Sequence, residues 1–143
     1  MRFLASEGLV VPDELDPSAE DVPLDFTQPS SGAIGALHSR FAVRHAHALF
    51  VTARIATDLA HVKNSLRQRE ARFRATYADD FSAKWKLETE MSGDKRIRRL
   101  RRRQVELEVQ LEMVKALTDG YEDLRNAASR EMFRRDSERG PRD

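Results

Sequence analysis

No cysteine occurs among the 143 residues. Disulfides and thiolate metal sites are excluded, and a reducing compartment is expected. No segment approaches ~20 consecutive apolar residues, so no membrane-spanning helix is expected. The N-terminus has one early arginine followed by acids and lacks the apolar core of a secretory signal. Proline and glycine are scarce, at 5 and 6 residues. Pro12, Pro17, Pro23 and Pro29 precede residue 36, and the fifth is Pro141. The intervening stretch is free to form long helices, because proline removes a backbone donor and clashes with the preceding turn. No glycine-rich phosphate loop, nucleophile elbow, catalytic triad or His-Glu-x-x-His helix is present. Carboxylates are plentiful, and none is singled out. The chain is therefore expected not to be an enzyme and to carry no cofactor.

A formal net charge of +1 hides an asymmetry. Residues 1–35 hold Arg2 against Glu7, Asp13, Glu14, Asp16, Glu20, Asp21 and Asp25. The remainder is strongly basic. An acidic arm on a basic body is a pattern of nucleic-acid-binding proteins, where the arm competes with the ligand; the plainer reading is a solvated leader. The prolines and acids of residues 1–35 predict an extended arm, with at most a short helix around residues 2–8. Leu9, Val10, Val11, Val22, Leu24 and Phe26 give that arm apolar anchors. Ser30-Ser31-Gly32 reads as a joint.

From Ala36 onward the spacing is helical. Phe41, His45, Ala48, Thr52, Ile55, Leu59, Val62, Leu66, Arg69 and Phe73 alternate steps of four and three, a heptad seam of the coiled-coil kind. Leu49, Phe50, Val51, Ala53, Ala56 and Ala60 widen the apolar face, which predicts more than one neighbouring helix. Residues 79–92 read as a connector: Asp79-Asp80 is a break, and Ser82 is placed to cap a short helix through Met91. Asp94 or Ser92 is placed to cap a second long helix. That helix carries Ile97, Leu100, Gln104, Leu107, Leu111 and Val114, and then, after a shift of phase, Leu117, Tyr121, Leu124 and Ala128. Helices of ~42 residues would each be about 60 Å long. The expected fold is all-α: an extended acidic arm over 1–35, a long antiparallel helical hairpin with a short connector helix over 36–136, and a disordered tail over 137–143. A lone pair of helices buries little surface, so assembly into a helical homo-oligomer is expected.

Folding the two stretches together gathers cations near the connector. Arg67, Arg69, Arg72, Arg74, Lys84 and Lys86 come from its first side. Residues 95–103 supply seven cations in nine residues, namely Lys95, Arg96, Arg98, Arg99, Arg101, Arg102 and Arg103. They stand at a helix N-terminus, where the dipole disfavours positive charge, and this placement has a cost that points to phosphate contact. The alternative is a solvated face paired with Glu88, Glu90, Glu106 and Glu108. Phe73, Tyr77, Phe81 and Trp85 recur every fourth residue among these cations. Phe73 and Phe81 suit a hairpin core, and Tyr77 or Trp85 suits stacking on bases. His38, His45, His47 and His61 lack metal-ligand spacing, since His45 and His47 point to different faces; no metal is expected.

Two segments resemble the UvsY-type phage recombination mediators. Arg72-Phe73-Arg74-Ala75-Thr76-Tyr77 resembles the family's basic-x-basic motif followed by an aromatic. Met91-Ser92-Gly93-Asp94-Lys95 opens the last helix much as a Ser-x-Asp-Lys-like sequence does there, and Leu37-His38-Ser39-Arg40-Phe41 is similar to the start of the first long helix. The resemblance covers roughly residues 36–140. The acidic arm and the arginine density at 96–103 have no counterpart in it, and the first basic position is Arg rather than Lys. The resemblance implies a ring-like helical oligomer that binds single-stranded DNA and helps a recombinase replace a single-strand-binding protein, without hydrolysing nucleotide. Arg72 and Arg74 become DNA-contact candidates, and Tyr77 takes the aromatic position. The location implied is cytoplasmic, within the infected host cell for a phage-encoded protein. The competing expectation is a non-enzymatic helical adaptor or assembly chaperone, a class that includes toxin–antitoxin and secretion components.

Overall fold

The computed structural model describes residues 2–9, 26–78 and 84–139. The fold is all-α. Four helices follow in order: α1, Arg2–Ser6; α2, Ser31–Tyr77; α3, Lys84–Gly93; and α4, Lys95–Glu138. No strand occurs among the described residues.

The long helices are built on one repeat. On α2, Ile34, Phe41, Ala48, Ile55, Val62 and Arg69 form one heptad row, and His38, His45, Thr52, Leu59, Leu66 and Phe73 form the other. On α4 the rows are Ile97, Gln104, Leu111, Thr118, Arg125 and Met132, and Leu100, Leu107, Val114, Tyr121, Ala128 and Arg135. Every one of these side chains is buried or half-buried and none is exposed. A strict seven-residue repeat keeps one face of a helix turned to its partner, so an otherwise polar helix can bury a single stripe. The expected seam residues lie along it. Phe41, Ile55, Leu59, Leu66, Leu107, Val114 and Tyr121 are buried, Val62 and Leu111 are half-buried, and Leu124, beside the rows, is half-buried too.

Past Val114 the expected residues carry the stripe on, with Leu117, Tyr121 and Ala128 buried and Leu124 half-buried. Thr118 occupies the seam and is buried, because its hydroxyl donates to the Val114 carbonyl at 2.8 Å. A buried hydroxyl so satisfied costs little. Thr52 does the same on α2, donating to the Ala48 carbonyl at 2.8 Å.

Helix boundaries also depart from expectation. α2 begins at Ser31, inside the span expected to be an extended arm, because Ser30 caps it: its hydroxyl accepts from the Ala33 amide at 3.2 Å. α4 runs through Glu138, two residues into the span expected to be a disordered tail, and Arg134 pairs with both Glu131 and Glu138 there. The start of the chain forms the short helix allowed for around residues 2–8. α1 closes on Gly8 at φ +67°, with the Leu9 amide on the Leu4 carbonyl at 2.9 Å and the Gly8 amide on the Ala5 carbonyl at 3.0 Å. This pair of bonds is a Schellman motif, and it brings Leu4 and Leu9 together as buried residues. The apolar anchors Val10, Val11, Val22 and Leu24, and the break and cap expected at Asp79-Asp80 and Ser82, lie outside the described residues.

The chain divides into two compact units. The first comprises Met1–Thr52 and Met113–Asp143. Within it the Glu7 carbonyl is 2.8 Å from His47 Nε2, tying the α1 turn to α2. Arg135 collects the chain entering α2: its guanidinium donates to the carbonyls of Thr27 at 2.7 Å and Phe26 at 3.3 Å, and to the Ser31 hydroxyl at 3.4 Å. Glu131, only 7% exposed, holds Arg135 and Arg134 at 2.6 and 2.7 Å. The second unit is Ala53–Glu112. Its core gathers Leu66, Met91 and Ile97, with Phe73 and Leu100 packed against them.

Two outcomes are expected. Leu107→Ala removes a fully buried seam side chain and lowers unfolding free energy by about 2–5 kcal/mol in urea titrations followed by circular dichroism. Val109→Ala, on the exposed face, stays within about 0.5 kcal/mol. The second concerns acid. Hydrogen bonds from Arg134 and then Arg135 lower the Glu131 carboxyl from the ordinary 4.5 to about 2. A carboxyl depressed in the folded state contributes stability that is complete above its unfolded value and lost as the pH falls toward the folded one. The contribution therefore disappears between about pH 4.5 and 2. Thermal melts across that range are expected to show a steeper loss for the natural chain than for Glu131→Gln.

Candidate functional site

The basic cluster belongs to the second unit, and Asp94 organises it. The Asp94 Oδ1 atom accepts from the amides of Arg96 at 2.9 Å and Ile97 at 2.8 Å, so Asp94 is the N-cap of α4. Its Oδ2 takes Arg69 at 3.3 Å. The Ile97 amide first, and then Arg69, hold the Asp94 carboxyl below its usual range. Ser92, the other cap candidate, instead accepts from Arg101 at 3.3 Å. A negative group at this end partly offsets the repulsion between the helix dipole and the cations that follow.

The cations fall into two sets. In one, Arg69 pairs with Asp94, Arg74 with Glu88 at 3.3 Å, Arg101 with Glu70 at 2.8 Å, and Arg103 with Glu106 at 3.4 Å. Lys63 pairs with Glu108 at 2.9 Å, a contact that with Gln104 lowers the Glu108 carboxyl. In the other, Arg67, Arg72, Lys84, Lys86, Lys95, Arg96, Arg98, Arg99 and Arg102 are exposed, and no ion pair with a described residue forms at them. Arg72 and Arg74 are thus divided, with Arg74 engaged by Glu88 and Arg72 open to solvent. Arg69 is half-buried in the seam, and its Nε is buried without a hydrogen-bond partner.

The aromatics divide as well. Phe73 packs on the Leu66–Met91–Ile97 core, and Tyr77 tilts against it with ring centroids 4.7 Å apart. Trp85 is 67% exposed, with the Lys86 ammonium 5.7 Å from its ring centroid. That exposure leaves an indole face open to a planar ligand. Phe81 lies outside the described residues.

Sequence reasoning offered Glu88, Glu90, Glu106 and Glu108 as partners for the cations of residues 95–103; Glu106 alone meets one of them, Arg103, while Glu88 pairs with Arg74, Glu108 with Lys63, and Glu90 with no described residue. It missed Glu70. The signal was there: Glu70 follows the seam residue Arg69 directly, at a flanking heptad position where interhelical pairs form.

No protein-family model, no curated protein and no solved structure matches the chain. Among the described residues, no helix is long and apolar enough to cross a membrane, and no group of three or more His, Asp or Glu side chains is arranged to hold a metal ion.

Asp94→Ala removes the cap of α4 and strips Arg69 of its carboxylate at once. It is expected to lower Tm more than Glu106→Ala, which breaks one exposed pair. Thermal melts at neutral pH compare the two; equal shifts would contradict the organising role given to Asp94.

Proposed function

We propose that this chain is a single-stranded DNA-binding protein of the recombination-mediator kind, acting without catalysis and as a homo-oligomer. The observation that carries the reading is the group of exposed cations at the end of α2, on α3 and at the start of α4, beside an exposed tryptophan. Arginine and lysine neutralise phosphates and release condensed counterions, and an open aromatic face stacks on any base. Arg72, Lys84, Lys86, Lys95, Arg96 and Arg99 are the phosphate candidates, with Arg67 at the edge. Trp85 is the stacking candidate, and Tyr77, 39% exposed, the second. Loading a recombinase in place of a single-strand-binding protein rests on the family resemblance alone. Oligomerisation, in a ring by that resemblance, is supported by the exposed apolar side chains Val43, Leu49, Phe50, Val105, Val109 and Phe133. Several subunits, each with a modest basic surface, gain avidity through effective concentration.

A second reading is favoured by the ion pairs themselves. Arg69, Arg74, Arg101 and Arg103 are engaged by acids of the same unit, as a helical adaptor with no nucleic-acid role requires.

Fluorescence anisotropy of a labelled single-stranded oligonucleotide against its duplex, across a salt series, separates the two. The mediator reading expects tighter single-strand binding and a log–log salt slope of about −0.7 per phosphate neutralised. Absence of binding at low salt would leave the adaptor.

A further inference from the structure

The second unit has two unlike sides. Labelling the seam rows a and d, with His38 to Phe73 as a and Ile34 to Arg69 as d on α2, and Ile97 as a and Leu100 as d on α4, Lys63, Glu70, Arg101 and Glu108 all fall at position e. They form two interhelical pairs, Lys63–Glu108 at 2.9 Å and Glu70–Arg101 at 2.8 Å. Seven residues forward on α2 correspond to seven back on α4. α3 is tied to this same side, through Glu88 to Arg74 at position b and through Ser92 to Arg101. The e side chains are accordingly half-buried.

The other flank has position g, and position c beyond it. That register sets Arg72 across from Arg96, and Ser65 across from Arg103, both at g. Arg99 stands at c between Arg96 and Arg103. All are exposed. Glu106 is the one acidic side chain that residues 95–107 carry at c or g, and it pairs with Arg103 at 3.4 Å. Residues 64–78 carry none there. Arg72 facing Arg96 is a like-charge juxtaposition of the kind that flanking heptad positions ordinarily avoid.

We infer that the bare g/c flank, formed by Arg72, Arg96 and Arg99, is the track for the sugar–phosphate backbone of a single-stranded nucleic acid, and that the Lys63–Glu108 and Glu70–Arg101 pairs of the opposite flank hold the helices together and do not touch the ligand. The inference rests on the nucleic-acid reading above and adds to it which cations act. The repulsion across this flank is relieved when a polyanion lies along it. Arg74, the second arginine of the motif, is a positioning residue that seats α3 through Glu88.

The test uses the full chain and a labelled oligothymidylate, with anisotropy read across a salt series and Tm read by circular dichroism. Arg72→Gln/Arg96→Gln/Arg99→Gln is expected to weaken binding and flatten the log–log salt slope by about 2, three phosphates at about 0.7 each. Its Tm should hold or rise, since it removes only repelling charges. Arg101→Gln should lower Tm while changing the slope by less than about 0.5. Glu70→Gln breaks the same pair yet keeps every arginine, and should not weaken binding even if Arg101→Gln folds poorly. Between single variants, Arg72→Gln should weaken binding more than Arg74→Gln. A triple variant with an unchanged slope, or Arg101→Gln flattening it equally, overturns the flank assignment while leaving the nucleic-acid reading intact. No binding by the unaltered chain at low salt overturns both.

Discussion

Burial of one narrow stripe on each of two long helices is the constraint on which the rest of this molecule depends. About a third of the chain is charged, at 34% Asp, Glu, Lys and Arg, so the stripe cannot be wide. The seam tolerates polar members only where each is satisfied or half-exposed. Thr52 and Thr118 return their hydroxyls to the preceding turn, Gln104 donates to Glu108, and Arg69 reaches Asp94. Each of these four insertions interrupts the apolar layers, and each has a bond at its polar end.

The same constraint governs the charges. On the flank at position e of the second unit the charged residues are half-buried and each is held by an opposite one, as Glu70 and Arg101 are; on the other flank Arg96 and Arg99 stand in solvent. Exposed pairs such as Arg74–Glu88 are each worth little, because water screens them and two long side chains must be ordered.

The heptad rows were legible because periodicity is a property of many residues at once: Phe41 to Phe73 and Ile97 to Val114 announce their faces whatever any one side chain does. Boundaries were less so. Ser30 was legible as a helix joint, yet α2 starts five residues earlier than the apolar pattern alone indicates, because a single hydroxyl on the Ala33 amide suffices to begin it. Thr118 was not legible as a buried residue, because threonine counts as polar in a pattern, whereas in a helix its hydroxyl finds a partner four residues back. Of the candidate site, the identity of the cations and the Asp94 cap were readable, but their pairing was not. Glu88 and Arg74 belong to different helices, and nothing in their spacing declares a contact.

The sequence by itself determined the helical class, the two seams and the concentration of positive charge near residues 67–103. Those follow from composition and repeat, which act locally along the chain. Only the tertiary structure decided that Glu131 and Arg135 gather the entry to α2, that Asp94 serves α4 and Arg69 together, and that Arg72 is open while Arg74 is engaged. Such outcomes depend on which side of a helix faces a third element, and that is set by packing across tens of residues rather than by any neighbour in the chain.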